Sequence, residues 1–193
     1  YLDFETFSTA VPLFDGLQPY SHVCFQFSVH VVEKEGAKPK HYEFLYAGDS
    51  DPRKEFIVAL KKVLGTSGSV VVYNQSFEIN RLKELGKAFP EYTEWVASVL
   101  YRIVDLLVPF RSFSYYNATQ QGLASIKNVL PALVGTRYEG LEISDGNTAS
   151  VAFYGITYGD GKDKENVREH LLEYCALDTL AEVMIVEKLR ELV

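Results

Sequence analysis

A run of three valines between polar residues constrains the fold of this chain more than any other segment. Residues 69–73 (SVVVY) form a short apolar pattern that is typical of a strand covered on both faces. An apolar stripe of helical period precedes it at residues 57–64, and a second helical pattern follows it from Ser76. A buried strand between two helices predicts an α/β fold.

The rest of the chain supplies the other elements of this fold. Residues 1–7, 23–32 and 41–47 have the composition of three strands of a meander. The helical patterns cover, in order, residues 52–64, 76–86 (with Ser76 as the cap), 91–107, 123–134, 147–158 and 164–193. Three strands, a helix, a fourth strand and further helices predict one mixed sheet flanked by helices.

Composition narrows the class of protein. The chain has 193 residues, of which 47% are hydrophobic, and its formal net charge is -7. A chain of this length can bury one large core. No apolar run approaches the roughly 20 residues that cross a bilayer, so we expect a cytoplasmic protein with no membrane partner. The negative charge argues against a protein that coats duplex DNA, but not against a nuclease whose carboxylates hold cations.

The first residues of the chain and its two cysteines give two further expectations. The sequence opens without Met inside a strand pattern, which predicts that residues 1–193 form a single domain of a longer protein with a further domain upstream. Cys24 and Cys175 are separated by most of the chain and form no ligand pair. We therefore expect two buried thiols.

Two carboxylates occupy the first predicted strand. Asp3 and Glu5 are two residues apart, so their side chains leave the same face, a spacing suited to holding one cation or bridging two. The pattern D-x-E alone arises by chance about once in ~200 residues. Because Leu2, Phe4 and Phe7 beside them are apolar, the carboxylates would repel each other unless a metal, a proton or hydrogen bonds compensate them.

Two further motifs place polar groups on helices. Asn74 ends the apolar strand and Glu78 falls in the first turn of the next helix, at the sheet edge where open α/β proteins bind ligands. Stabilisation of the helix N-terminus is the structural alternative for Glu78. Tyr174 and Asp178 are four residues apart in the last helix and share one face. The alternative for Asp178 is a solvated acid beside an apolar stripe.

The three motifs, Asp3-Phe4-Glu5-Thr6, Asn74-x-x-Phe77-Glu78 and Tyr174-x-x-x-Asp178, resemble in order and separation the three exonuclease motifs of the DnaQ-like, or DEDD, 3′-5′ exonuclease superfamily. Tyr174 is similar to the residue that marks the tyrosine subgroup, DEDDy. The chain also resembles a bacterial family described only as a domain of unknown function. The resemblance covers nearly the whole chain and implies an RNase H-like fold, a mixed β-sheet flanked by α-helices.

The resemblance implies a metal-dependent 3′-5′ exonuclease that hydrolyses phosphodiester bonds with two Mg²⁺ or Mn²⁺ ions. Asp3, Glu5 and Asp178 would bind the ions directly, and Glu78 would contact them through water. Tyr174 would orient the attacking water by a hydrogen bond, since a phenol with an ordinary pKa of about 10 is a poor base. The residues implied to contact the terminal nucleotide of a DNA or RNA strand, single-stranded or at a 3′ end, are Thr6, Phe7 and Asn74.

Four more residues are interpreted mainly as structural. Asp105 is assigned to a helix as a structural acid, with a polar anchor near the site as the alternative. Lys127, Arg111 and Arg137 are interpreted as solvated surface cations, with contacts to a phosphate backbone as the alternative.

Two other functions are compatible with the sequence. The superfamily usually has Asp where this chain has Glu78, whose side chain is one methylene longer, and the chain is not basic. Both features favour a catalytically weak or inactive nucleic-acid-binding module of the same fold. An interaction domain whose acids are only structural is the third possibility.

Overall fold

The first three strands form an antiparallel meander in this protein, whose computed structural model describes residues 1–136 and 140–192. β1 (Leu2–Phe7) pairs with β2 (Val23–Val31), which pairs in turn with β3 (Lys40–Leu45). All three lie within two residues of their predicted positions. The register of β1 and β2 shifts by one residue after Glu5, so that the ladder skips Phe25 of β2.

A second, smaller sheet contains the valine run. β4 (Val70–Val72) pairs in parallel with β5 (Ile103–Asp105). The expected single mixed sheet of four strands is therefore corrected to five strands in two sheets over the described residues. β4 contacts β1 but forms no ladder with it in this part of the chain. A strand of three residues directs only one or two backbone groups towards either neighbour, and those on one side of β4 bond to β5.

Helices flank the sheets and make up about half of the chain. In chain order they are α1 (Arg53–Leu64), α2 (Ser76–Ala88), α3 (Thr93–Tyr101), α4 (Val108–Arg111), α5 (Ile126–Leu133), α6 (Gly146–Tyr158) and α7 (Lys164–Arg190). Short 3₁₀ turns cover Pro90–Tyr92 and Ala118–Gln120. The predicted helices at residues 52–64, 147–158 and 164–193 are confirmed to within three residues.

The predicted helix over residues 91–107 is wrong in its second half. α3 ends at Tyr101 and β5 begins at Ile103, so Asp105 ends a strand and is not a helical acid. Ile103 and Val104 are β-branched and favour an extended backbone, but three residues are too few for periodicity to separate them from a helix. Ser76 is the first residue of α2, and Gln75 holds the cap position predicted for it.

The β1–β2 ladder has two chemically different faces. The apolar face packs against α1 in one core cluster, whose members include Leu2, Phe4, Phe27, Val29, Phe56, Ile57 and Leu60. The opposite face carries the polar members of the same alternation, Asp3, Glu5, Gln26, Ser28 and His30. α7 covers this polar face, where the Gln26 amide donates a 2.7 Å hydrogen bond to the carbonyl of Leu171. Polar strand residues that would ordinarily meet water are thus buried under a helix.

Candidate functional site

Carboxylates from three distant parts of the chain converge between β1, α2 and α7. We call Asp3, Glu5, Glu78, Asp178 and Glu182 the acidic cluster. Asp3 and Glu5 come from the polar face of β1, and Glu78 lies in the first turn of α2 with only 2% of its surface exposed. Asp178 and Glu182 lie one turn apart on α7, and Glu182 is also 2% exposed.

The acids of the cluster interact electrostatically. Burial is the main cause that raises the pKa of Asp3 and of Glu5 above their ordinary values, and repulsion from Asp178 adds to both shifts. Burial, followed by repulsion from Asp3, raises the pKa of Glu78 to about 9. Burial likewise raises the pKa of Glu182 well above its usual range. The negative charge of these buried acids is therefore compensated either by protons or by added positive charge.

Two buried oxygens show that the cluster fits a cation. Oε2 of Glu78 and Oε2 of Glu182 have no hydrogen-bond partner among the described residues. A buried polar atom without a partner is costly, and most such atoms in native proteins bind water, an ion or a ligand. Carboxylate oxygens are the ligands that Mg²⁺ and Mn²⁺ prefer. The donor set of the acidic cluster therefore suits a hard divalent ion.

Tyr174 and Lys127 border the acidic cluster. The Tyr174 hydroxyl is hydrogen-bonded to Asp178, and burial, together with Asp178 and Glu5, raises its pKa further above the ordinary value. Lys127 of α5 places its Nζ 5.4 Å from the centre of the Tyr174 ring and donates to the carbonyl of Ser144. It also lowers the pKa of Glu5. Lys127 is half-buried at the site, which corrects its interpretation as a solvated surface cation.

A thiol also reaches the cluster. Cys175 is fully buried, and its Sγ lies 3.4 Å from Oδ2 of Asp3. One ligand atom each of Asp3, Glu5 and Cys175 lie within 4.8 Å of one another. Both cysteines are free and buried, as the sequence predicts. The contact of one of them with an acid was not foreseen.

Asn74 and Asp105 meet at the ends of β4 and β5. Asn74 is exposed and adopts a left-handed backbone conformation with φ of 75°. Its backbone N–H donates a 3.0 Å hydrogen bond to Oδ1 of Asp105, which also accepts one from the N–H of Leu107. Asp105 thus fixes the turn that leads from β4 into α2 and to Glu78. Its role is to position the strand ends, and it lies on a strand rather than on the helix expected for it.

Thr6 and Phe7 have different surroundings from each other. Oγ1 of Thr6 shares a 2.9 Å hydrogen bond with Nδ1 of His22, at the edge of β1. The Phe7 ring is 1% exposed and packs against Phe25 and Phe153 in a core cluster. The ring of Phe7 thus has no surface for a nucleotide and Thr6 is only 8% exposed, whereas Asn74 is accessible.

A cleft of about 520 Å³ runs from His22 along α2. Its basic lining residues are Arg53, Arg81 and Lys87. The guanidinium of Arg53 donates hydrogen bonds to the Asp51 carboxylate, and that of Arg81 donates to Glu84. Two of the three cations therefore already have acidic partners. The cleft is a polar groove of balanced charge rather than a basic one. Arg111 is exposed at the end of α4, and Arg137 lies outside the described residues.

Glu182 and Cys175 were missed as site residues, although both left a signal in the sequence. Glu182 follows Asp178 by four residues, as Asp178 follows Tyr174, so the three share one stripe of α7. Cys175 lies one turn before Thr179 on the same side of the helix. The polar residues of β2 alternate in phase with Asp3 and Glu5, which is the pattern that could have indicated the buried polar face.

These features define a mixed α/β protein with a buried acidic cluster between a sheet and its longest helix. The chain belongs to the family of the domain of unknown function DUF2779, whose profile matches residues 1–125. The matched region contains Asp3, Glu5, Asn74 and Glu78. Among the residues that the structure describes, no helix combines the length and the apolar character needed to cross a bilayer.

Two curated relatives match almost the entire chain. The uncharacterized protein MG366 of Mycoplasma genitalium is 29% identical over 215 aligned positions, which cover 100% of this chain and 32% of that protein. Its homologue in Mycoplasma pneumoniae is 30% identical over 206 positions, with 96% and 31% covered. The chain thus spans about a third of the length of these relatives. No solved structure matches it.

Proposed function

We propose that this chain is a metal-dependent 3′-5′ exonuclease of the DnaQ-like, DEDDy type, which hydrolyses phosphodiester bonds in DNA or RNA. The observation that carries the proposal is the convergence of Asp3, Glu5, Glu78 and Asp178 beside the hydroxyl of Tyr174. These residues come from three motifs separated by long stretches of sequence. Their meeting in one buried cluster is what a metal-dependent hydrolase requires and what a scatter of structural acids does not predict.

The strand arrangement is compatible with an RNase H-like fold. An antiparallel meander β3–β2–β1 and a parallel pair β4–β5, with β4 beside β1, is the order that such a fold would give. In that arrangement the acids of β1 lie next to the carboxyl end of β4. The topology supports the proposal because ligands of open α/β sheets bind outside the carboxyl ends of their strands.

The residues of the site would have two roles in hydrolysis, which are binding the ions and orienting the attacking water. Asp3, Glu5 and Asp178 would hold two divalent ions, with Glu78 acting through water. When bound, the ions lower the pKa of a water molecule and stabilise charge on the phosphodiester oxygens. Tyr174 keeps its phenolic proton and can orient the attacking water by hydrogen bonding, with Asp178 fixing the phenol.

Other residues would hold the substrate strand. Lys127 brings a positive charge close to Glu5 and Tyr174, where it can attract the phosphate that is cleaved. Asn74 is exposed at the edge of the site, and Thr6 lies at the end of β1 beside the cleft that starts at His22. We propose Asn74 and Thr6 as contacts of the terminal nucleotide, with no role for the ring of Phe7.

The proposal is tested with 5′-labelled single- and double-stranded DNA and RNA in Mg²⁺ or Mn²⁺. We expect a ladder of 5′-labelled products that shorten from the 3′ end. A phosphorothioate linkage at the 3′ end should block this digestion. Asp3→Asn and Asp178→Asn keep the side-chain size and should lower the rate by at least on the order of 10²-fold. Glu173→Gln is the matched control, because Glu173 is exposed on α7 and should leave the rate unchanged.

Three other outcomes of this experiment would contradict the proposal. Equal rates for the parent chain and for both Asn variants would refute the proposal. Binding of the labelled strands without turnover in either metal would favour the catalytically inactive nucleic-acid-binding module. A chain that binds neither Mn²⁺ nor nucleic acid would favour an interaction domain whose acids are structural.

A further inference from the structure

The Cys175 thiol donates a hydrogen bond to a carboxylate of the acidic cluster, a contact that apolar packing alone does not provide. It follows Tyr174 directly on α7, is completely buried, and points its Sγ at Asp3 of β1. The sulfur lies 3.4 Å from Oδ2 of Asp3 and 4.0 Å from its backbone carbonyl oxygen. Free cysteines in cores usually pack as small hydrophobic residues, and here the neighbour is a carboxylate.

Cys24 provides the internal comparison. It is also free and buried, but it belongs to an apolar cluster with Phe27, Phe56 and Leu82. Burial alone therefore does not bring a thiol of this protein to an acid. The approach of Cys175 to Asp3 is specific to the covered face of β1.

The distances suit a shared metal ion. Ligand atoms of Asp3, Glu5 and Cys175 all lie within 4.8 Å of one another. A tetrahedral ion with a metal–sulfur bond of about 2.3 Å and a metal–oxygen bond of about 2.1 Å separates the two ligand atoms by roughly 3.6 Å. The observed separation of Sγ and Oδ2 is 3.4 Å. In the structure the Cys175 thiol donates a hydrogen bond to Asp3 across this distance, and an ion that replaced the thiol proton would find the two ligand atoms close to the separation it needs.

A second observation points to a ligand at the same place. Glu78 is 2% exposed, its Oε2 has no hydrogen-bond partner among the described residues, and Asp3 is the charged group that acts on it most strongly. Two buried carboxylates that repel each other need a nearby cation or a proton on one of them.

We propose that Cys175 is a ligand of one metal ion in the acidic cluster, so that this centre binds a transition-metal ion such as Mn²⁺, Co²⁺ or Zn²⁺ in preference to Mg²⁺. The inference rests on the metal site of the proposed function and specifies its metal. Sulfur ligands favour transition metals over Mg²⁺, which prefers oxygen alone. When the metal–sulfur bond forms, the thiol proton is released to solvent, and no oxidant or reductant takes part.

The test is a titration of the metal-free chain with Co²⁺, followed by absorbance and by calorimetry. A cobalt–thiolate bond gives a charge-transfer band in the near ultraviolet that oxygen ligands do not give. We expect this band in the parent chain and in Cys24→Ser, and its loss in Cys175→Ser. We also expect Cys175→Ser to weaken Co²⁺ binding by more than about tenfold while leaving Mg²⁺ binding unchanged.

The outcomes separate this inference from the proposed function. Calorimetric binding of Co²⁺ without the charge-transfer band would overturn the role of Cys175 and leave a metal site of oxygen ligands. Absence of any Co²⁺ binding would overturn this inference, and only the absence of Mg²⁺ and Mn²⁺ binding as well would overturn the proposed function. The charge-transfer band in a chain that hydrolyses no nucleic acid would support the ligand and refute the exonuclease.

A measurement on the parent chain covers the case in which Cys175→Ser does not fold. X-ray absorption of the Zn²⁺-loaded chain should show one sulfur neighbour at about 2.3 Å from the metal. A zinc shell made only of oxygen and nitrogen would contradict the inference without any variant. The same measurement on Cys24→Ser, which should be unchanged, excludes binding at the other thiol.

Discussion

Two polar clusters lie side by side beneath α7, and they differ in how their atoms are satisfied. The hydroxyl–imidazole network consists of Ser28, His30, His41 and Thr179. Oγ1 of Thr179 lies 2.6 Å from Oγ of Ser28 and 2.8 Å from Nδ1 of His30, and Oγ of Ser28 lies 2.9 Å from Nε2 of His41. The two imidazole rings stack with centroids 4.4 Å apart.

The acidic cluster has the opposite character, although Asp178 and Thr179 are neighbours in sequence. Hydroxyls and imidazole rings can both donate and accept, so these side chains satisfy one another, and Oγ1 of Thr179 also donates to the carbonyl of Ala176. Ionised carboxylates only accept, and buried oxygens of Glu78 and Glu182 have no partner among the described residues. The comparison teaches that burial of polar groups does not by itself indicate function. The shortage of donors does, because it implies a ligand that brings positive charge.

The largest expected effect separates the two clusters by activity. Asp178→Asn should lower the rate of nucleic-acid hydrolysis by at least on the order of 10²-fold, because it weakens the hold on the ions. Thr179→Val, one residue further along, should change the rate by no more than about threefold. Single-turnover rates at saturating Mn²⁺ measure both. Equal losses in the two variants would remove the distinction between a functional and a structural cluster.

Metal binding should stabilise the protein through the acidic cluster alone. At a Mn²⁺ concentration 100 times the Kd, a single site adds about 2.7 kcal/mol to the free energy of unfolding. For a chain of this size, that raises the Tm by roughly 5–11 °C. Scanning calorimetry with and without Mn²⁺ should show the shift in Thr179→Val but not in Asp3→Asn. A shift that survives Asp3→Asn would mean that Mn²⁺ binds elsewhere.

The network should contribute to stability in the absence of metal. Thr179→Val keeps the side-chain shape but removes the hydroxyl that Ser28 and His30 share. We expect the free energy of unfolding to fall by about 1–3 kcal/mol, because buried partners lose their hydrogen bond. Urea denaturation in EDTA measures this loss. Combining Thr179→Val with Ser28→Ala should give less than the sum of the two single losses, and full additivity would show that the two hydroxyls do not interact.

The smallest effects concern pH and have opposite signs. Burial raises the folded pKa of Glu182, so the folded chain binds more protons than the unfolded chain above about pH 4.5, and stability falls as the pH rises. Burial and the nearby His41 lower the pKa of His30 to about 4 from 6.5, so stability falls as the pH drops through that window.

Two variants isolate these contributions. Glu182→Gln should reduce the loss of stability at high pH, and His30→Gln should reduce the loss between pH 6.5 and 4. Urea midpoints measured in EDTA from about pH 4 to about pH 9 test both, because the Glu182 window extends upward from about pH 4.5. If each variant shifted the profile in the same direction, the assignment of opposite signs would be wrong.

Periodicity predicted most of the fold because most elements are long enough to show it. The three meander strands, α1, α6 and α7 lie close to where the pattern indicates. β5 was missed because three residues between two helical stretches give no periodic signal. The division into two sheets was missed because pairing depends on backbone hydrogen bonds between distant segments, which no local pattern encodes.

The candidate site was predictable only in part. The motifs identified acids at fixed spacing, and the structure brings Asp3, Glu5, Glu78 and Asp178 together with Tyr174. Lys127 was not assigned to the site because its relation to it arises from helix packing, whereas Cys175 and Glu182 were not assigned although their spacing along α7 repeats that of Tyr174 and Asp178 or places them on the same side. Their sequence neighbourhoods look like those of ordinary surface lysines, core cysteines and helical glutamates.

The one-residue shift between β1 and β2 is a β-bulge, in which Phe25 of β2 has no partner on β1. Asp3 and Glu5 align with Ser28 and Gln26 on one side of Phe25, and residues beyond it pair in the other phase. The Phe25 ring also stacks on Phe153 of α6 at 3.9 Å. Loss of the single codon for Phe25 would leave every motif residue intact in the gene. It would also keep the pairs on either side in register, because Phe25 is the extra residue that no β1 residue matches, so the loss would fall on the ring stacked against Phe153 and not on the acids.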